Sequence, residues 1–160
     1  MEQYIRLFKS FTYAFAGIFR TIRNERNLRI HITCLTYMFS ILCFTDWFEL
    51  TKPELALLVL TSGSVISSEI VNTAIENAVN LASEKYTEFG KISKDAAAGA
   101  VLINVIFAVI VGIIILFQPA AFVSMYKYFA TNPLMLILFV SSIIPSSIFI
   151  FWGNPFKKRS

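Results

Sequence analysis

Long apolar stretches dominate the pattern of hydrophobic and polar positions along this chain. Three of them, residues 30–48, 55–79 and 96–117, approach the roughly 20 residues that a helix needs to cross the hydrocarbon core of a bilayer. A fourth stretch, residues 134–152, is nearly as apolar, and Pro145 within it is expected to kink the helix or end it early. The pattern predicts an all-α integral membrane protein with three core transmembrane helices and a fourth near the C-terminus.

Residues 3–24 show a different pattern, in which apolar residues recur at helical spacing among basic ones. This pattern predicts an amphipathic helix that lies in the cytoplasmic interface of the membrane. The helix could anchor the chain to anionic lipid headgroups, or it could roof a site for a lipid, and both roles could hold. Its apolar positions are Tyr4, Leu7, Phe8, Phe11, Phe15, Ile18, Phe19 and Ile22.

The composition agrees with a membrane protein and excludes a soluble domain. Of the 160 residues, 56% are hydrophobic and 16 are Phe, and the mean hydropathy is +0.67. Residues 1–29 lack the continuous apolar segment and the small-residue cleavage site of a signal peptide. We therefore expect the N-terminal segment to stay on the protein.

The distribution of Lys and Arg predicts the orientation of the four spans, because basic residues near span ends are retained on the cytoplasmic side. Of the 14 basic residues, all but Lys52 and Lys127 lie before the first span, between the second and third, or after the fourth. Both termini are therefore expected to be cytoplasmic.

Three polar residues interrupt the second apolar stretch. Glu69, Asn72 and Glu76 fall within roughly 60° of one another on a helix that turns about 100° per residue. Ionisable residues at membrane depth are costly and mark functional sites by default. The three could instead be ordinary hydrogen-bond partners between helices.

Charged residues at the starts of the neighbouring apolar segments could complete this polar face. Mg²⁺ prefers oxygen ligands, and Glu25 and Glu76 near the interface could supply them. Glu69, about 10 Å deeper along the helix than Glu76, is then left as a general base for a hydroxyl group. A surface ion pair is the alternative for Glu25, which is flanked by arginines.

The remaining polar residues suit the handling of phosphate. Asn72 could orient the base or a phosphate oxygen, and Lys94 could neutralise phosphate charge. Asp95 could cap the third span or reach a ribose or a second metal. The chain has neither of the common Gly-rich phosphate-binding motifs. His31, its one histidine, is expected to contact lipid headgroups at the start of the first span.

Two motifs resemble those of the prokaryotic diacylglycerol kinase and undecaprenol kinase family. One joins EIVNTAIE at residues 69–76 to KISKDAAAGAVL at residues 91–102. The other is ERNLRIH at residues 25–31, in the form typical of Gram-positive, undecaprenol-directed members. The resemblance extends over residues 4–117 and divides the chain into a kinase domain, residues 1–117, and a C-terminal extension, residues 118–160.

The resemblance implies a lipid kinase in the bilayer of the bacterial cell membrane. It would transfer the γ-phosphoryl group of ATP, with Mg²⁺ as cofactor, to a membrane lipid alcohol. Undecaprenol is favoured by the form of the second motif, and diacylglycerol is the alternative. The resemblance also implies a homotrimer with active sites between subunits, and no nucleic acid is expected as a partner.

The resemblance also implies roles for individual residues. Glu69 matches the general base of the family, and Glu25 and Glu76 match its metal and nucleotide ligands. The other active-site polar residues are Asn72, Lys94 and Asp95. Contacts to the nucleotide are implied for Arg6, Tyr13, Lys85 and Tyr86.

The chain departs from the family pattern at two places. Asn80 stands where relatives usually carry Asp, so a carboxylate that could support the metal site or a subunit contact is absent. The C-terminal extension adds the fourth span. Two other hypotheses stay open at this point: a small four-helix transporter that uses an intramembrane Glu, and an inactive scaffold derived from a kinase.

Overall fold

The computed structural model describes residues 2–82 and 87–152, which form helices and no strand. The all-α prediction is confirmed for this part of the chain. The helices in order are α1 Glu2–Asn24, α2 Arg26–Phe44, α3 Lys52–Ala82, α4 Glu88–Leu116, α5 Pro119–Thr131, α6 Pro133–Ser141 and α7 Ile143–Phe151.

Four helical segments within the described residues are long and apolar enough to cross a membrane. They are α2, α3, α4 and the pair α6 and α7 taken together as Pro133–Phe151. The prediction of three core spans and a fourth near the C-terminus is therefore confirmed. At 31 and 29 residues, α3 and α4 exceed the roughly 20 residues that the hydrocarbon core requires. Both helices therefore carry their polar ends beyond it.

The predicted amphipathic helix is present as α1, and it exposes a row of aromatic side chains. Phe8, Phe15 and Phe19 are all more than half exposed on this helix. Exposed aromatic rings beside basic residues are typical of a helix that lies in a membrane interface. α1 ends at Asn24, and Glu25 separates it from α2.

α3 and α4 pack against each other along their lengths and form the centre of the fold. At membrane depth Ser64 Oγ donates a hydrogen bond to Asn104 Oδ1 at 2.7 Å, which joins the two helices. Near the start of α4, an added Cβ at Gly90 would lie 2.9 Å from Thr87 Oγ1 and 3.0 Å from Val79 Cγ1. A larger residue at position 90 would therefore displace one or both of these side chains.

The start of α4 corrects one prediction for Asp95. Thr87 is the N-cap, because its side chain accepts a hydrogen bond from the Gly90 backbone N–H at 3.1 Å. α4 therefore begins about two turns before Asp95. The capping role for Asp95 is wrong, because the helix extends beyond the apolar stretch into polar sequence.

The C-terminal extension folds back onto α2. The hydropathy pattern did not predict its first helix, α5. Pro119 is the first residue of this helix, a position that proline favours. The fourth span is interrupted at Ser142, because Pro145 has no N–H to bond to the Ser141 carbonyl. This interruption lies one turn before Pro145, the residue at which the sequence predicted a kink or an early end of the helix. The Tyr37 hydroxyl of α2 lies 2.7 Å from Ser142 Oγ.

Arg29, only 3% exposed, ties three helices together near the start of α2. Its Nη1 donates to the carbonyls of Ile22 and Arg23 in the last turn of α1, both at 2.8 Å. Its Nε donates to the carbonyl of Ile150 at the end of α7, at 3.0 Å. The last carbonyl groups of a helix have no hydrogen-bond donor within the helix. The Arg29 guanidinium supplies donors to such carbonyls at the ends of α1 and α7.

Candidate active site

Glu69 lies on the inward face of α3. The buried residues of this helix are Leu58, Ser62, Val65, Glu69 and Thr73, and their spacings of three and four residues place them on one face. The residue itself is 4% exposed. A carboxylate at such a position needs a partner, because an unpaired charge is expensive to bury.

His31 supplies that partner. Its Nε2 lies 3.2 Å from Glu69 Oε1, and the two side chains are 23% and 5% exposed, respectively. The prediction that His31 contacts lipid headgroups is therefore wrong, since the imidazole is turned inward toward α3. Sequence reasoning missed the pair because the two residues lie on different helices, and their juxtaposition depends on how α2 packs against α3.

Asn72 and Glu76 interact with each other one turn apart on α3. Asn72 Nδ2 donates to Glu76 Oε1 at 3.1 Å. Asn72 Oδ1, in contrast, is buried and has no hydrogen-bond partner in the described structure. Because a buried acceptor without a partner costs free energy, this oxygen is suited to receive a cation or a hydrogen-bond donor from a ligand.

Glu25 occupies the junction between α1 and α2, where the backbone is extended. Its backbone N–H donates to the carbonyl of Thr21 at 2.8 Å, which fixes the junction to the end of α1. The carboxylates of Glu25 and Glu76 lie close enough to Glu69 to interact with it electrostatically. The three acids that the sequence singled out therefore lie within electrostatic range of one another around Glu69.

Lys94 joins the site from α4. Its Nζ donates to Asn80 Oδ1 at 2.6 Å, across the interface between α3 and α4. The partner of this ammonium group is therefore the amide oxygen of Asn80. Because the amide is neutral, it leaves the positive charge of Lys94 available for an anionic ligand.

The other predicted site residues lie on α1, on α4 or outside the described residues. Asp95 is exposed on α4, and Arg6 and Tyr13 are exposed on α1, with Tyr13 exposed by 72%. Lys85 and Tyr86 lie outside the described residues.

The donor set suits magnesium bound together with a nucleotide. Within residues 2–82 and 87–152, no three His, Cys, Asp or Glu side chains lie close enough together to bind a metal ion by themselves. Mg²⁺ commonly takes one or two carboxylates and completes its shell with substrate phosphates and water. Glu25, Glu76 and the buried Asn72 Oδ1 are all oxygen donors, and they fit that requirement.

Comparison with known proteins places this arrangement in a family. A profile described as Prokaryotic diacylglycerol kinase matches residues 12–116. The chain is 38% identical over 110 residues to an undecaprenol kinase of Bacillus subtilis, a match that covers 69% of this chain and 87% of that protein.

Two diacylglycerol kinases are also similar. That of Synechocystis is 41% identical over 114 residues, covering 71% of this chain and 63% of the relative. That of Escherichia coli strain K12 is 31% identical over 115 residues, covering 72% and 92%. These relatives favour a lipid kinase over a transporter. The chain belongs to the prokaryotic diacylglycerol kinase family.

Proposed function

We propose that this protein transfers the γ-phosphoryl group of MgATP to the hydroxyl of a membrane lipid alcohol, with undecaprenol as the favoured acceptor. The observation that carries the proposal is the buried carboxylate of Glu69 on the same helix face as Asn72 and Glu76. Phosphoryl transfer needs a group that receives the proton of the incoming hydroxyl and groups that hold the phosphates in line. This face of α3 offers both at membrane depth.

In the proposed mechanism Glu69 is the general base. It takes the proton of the lipid hydroxyl while the hydroxyl oxygen forms its bond to the γ-phosphorus. The bond from the γ-phosphorus to the bridging oxygen breaks, and ADP leaves with that electron pair. The lipid phosphate stays in the membrane because its apolar body remains in the bilayer.

Glu25 and Glu76 are the proposed ligands of the metal, with Asn72 Oδ1 beside them. Magnesium, when bound with ATP, would neutralise charge that develops on the phosphates. Asn72 donates to Glu76, and this hydrogen bond orients the carboxylate as a metal ligand requires. Lys94 is the proposed partner of a phosphate oxygen, because its neutral partner Asn80 leaves its charge uncompensated.

Nucleotide contacts beyond the phosphates are proposed for Arg6, Tyr13, Lys85 and Tyr86, and a ribose contact for Asp95. We also propose a homotrimer with active sites between subunits in the bacterial cell membrane. The absence of three clustered metal ligands within the described residues supports a site that other groups complete. Both termini are proposed to be cytoplasmic, on the distribution of Lys and Arg.

Undecaprenol is favoured on two grounds. Residues 25–31 have the form of the undecaprenol-directed motif, and the Bacillus subtilis relative named undecaprenol kinase is matched over 87% of its length. Diacylglycerol is the second candidate, since the Synechocystis relative that shares 41% identity is named diacylglycerol kinase. Both lipids present one primary hydroxyl on an apolar body, so the chemistry of the base does not separate them.

The decisive experiment measures transfer of labelled γ-phosphate from MgATP to undecaprenol and to dioleoylglycerol in mixed micelles. We expect Glu69→Gln to lower kcat by about 10²- to 10⁴-fold, because the isosteric amide cannot accept the proton. Glu49→Gln is the matched control, because it makes the same change at an exposed position between α2 and α3. Activity retained by Glu69→Gln would exclude Glu69 as the base, and failure of both lipids to react would exclude them as substrates.

A further inference from the structure

The contact between His31 and Glu69 gives the histidine a role that the proposed mechanism has not used. A carboxylate on a long side chain can rotate broadly about its last torsion. The Nε2 to Oε1 contact at 3.2 Å fixes that rotation, because the imidazole is a rigid ring held on a different helix. One carboxylate oxygen is therefore directed at His31, and the direction of the other is determined as well.

We propose that His31 is a positioning residue for the general base. His31 donates from Nε2–H to Glu69 Oε1, and Glu69 Oε2 then faces the hydroxyl of the lipid alcohol. During transfer the hydroxyl proton moves to Oε2, and His31 forms and breaks no covalent bond. The inference rests on the proposed function, because it gives a role to the base assigned there.

The reaction needs this orientation. In-line transfer requires the base, the hydroxyl oxygen and the phosphorus to be aligned at once, and a displacement of about 1 Å can cost about 100-fold in rate. The acceptor is held in a fluid bilayer, so the protein has to fix its own side of the alignment. A rigid donor on α2 does this more firmly than water or a flexible side chain would.

Contacts other than that of His31 also hold the start of α2. Leu28, one turn earlier on the same face, is fully buried, and Arg29 ties the start of α2 to α1 and α7 through three hydrogen bonds. These contacts hold that end of the helix with an apolar side chain and a guanidinium. The polar contact of His31 with Glu69 is therefore available for a role in catalysis.

The test compares two substitutions at position 31 in the full-length protein. His31→Phe keeps a ring of similar size and removes the donor, whereas His31→Gln places an amide N–H near the position of Nε2. We expect His31→Phe to lower kcat by about 10- to 100-fold with KM for MgATP unchanged, and His31→Gln to recover most of the loss. Tyr37→Phe is the matched control, because it also removes a polar group from α2 but faces the extension.

Two results would overturn the inference. If His31→Phe keeps kcat within twofold of the native protein, the contact does not position the base. If His31→Phe and His31→Gln lose activity equally and both melt at lower temperature in detergent, the histidine has a structural role only. Failure of the proposed function is distinguishable from either result, because it shows as activity retained by Glu69→Gln.

Discussion

The polar groups on α3 and those of the C-terminal extension meet the apolar surroundings of a membrane protein in different ways. In the extension, the hydroxyl of Ser142 is paired with Tyr37 and also donates to the carbonyl of Phe139. On α3, Asn72 leaves one buried oxygen without a partner in the described structure. Within the described residues, the Glu69 carboxylate contacts His31 of another helix.

This difference is the one expected between polar residues that build the fold and polar residues that, as we propose for α3, bind a ligand. Hydroxyl groups that satisfy one another or a nearby carbonyl give helix association and need nothing further. An acceptor buried without a partner is stable only if the rest of the fold compensates for its cost, and such atoms occur where a ligand completes the site. The comparison predicts that substitutions on α3 change activity, while substitutions at the extension change stability.

The largest expected effect tests the α3 side of this comparison. Glu76→Gln removes a proposed metal ligand, and charge stabilisation by a metal is worth several kcal/mol, so we expect a loss of about 100-fold or more in kcat/KM. A titration of activity against Mg²⁺ should also show a higher requirement for the metal. Ser146→Ala in the extension is the control, because it removes a hydroxyl that lies 3.0 Å from that of Tyr37. An equal loss there would contradict the comparison.

The second effect concerns stability and the attachment of the extension. Arg29→Met keeps the apolar stem and removes the donors to Ile22, Arg23 and Ile150. Because hydrogen bonds to charged groups contribute about 1.5–3 kcal/mol each and the carbonyls are left unpaired, we expect a destabilisation of about 2–4 kcal/mol. Thermal unfolding in detergent and the rate of proteolysis of the extension would measure it.

Arg29→Lys is the informative companion to this variant. It keeps the charge but not the fork of donors that reaches two helix ends. We expect intermediate stability, with cleavage of the extension faster than in the native protein. Unchanged unfolding in both variants would show that the extension is held by its apolar contacts alone.

The smallest effect is expected at Asn80, the position where the sequence departs from the pattern of the family it resembles. Asn80→Asp places a carboxylate opposite Lys94 without changing the shape of the side chain. An ion pair near the surface is worth about 0–1 kcal/mol, so we expect kcat to change by less than about threefold and stability to rise slightly. A gain of 100-fold or more would instead indicate that Asn80 had impaired the native enzyme.

Much of this structure follows from the sequence because single helices carry their own signals. The apolar stretches predicted the spans, and the spacing of Glu69, Asn72 and Glu76 predicted a shared face. The contact of His31 with Glu69 could not be predicted, because it depends on the relative rotation of two helices. The start of α4 was missed because hydropathy detects the apolar part of a helix and not the polar turns that precede it.

The extension shows the same limit in another form. Pro119 and Pro133 are the first residues of α5 and α6. Because proline favours the first position of a helix, these two prolines predict where the helices begin. Nothing in the local pattern indicates that these helices return to α2, since the aromatic contacts of Trp47 with Tyr128 and Phe129 join distant parts of the chain. Tertiary packing decides that arrangement.

The hydrogen bond from Arg29 to the carbonyl of Ile150 also has a topological consequence. It brings the last turn of α7 to the level of the junction between α1 and α2, where Glu25 lies. Two helix ends held at one level, one before the first span and one after the fourth, are expected if the chain crosses the membrane an even number of times. The hydrogen bond therefore supports the proposal that the start of α2 and the end of α7 face the same aqueous compartment.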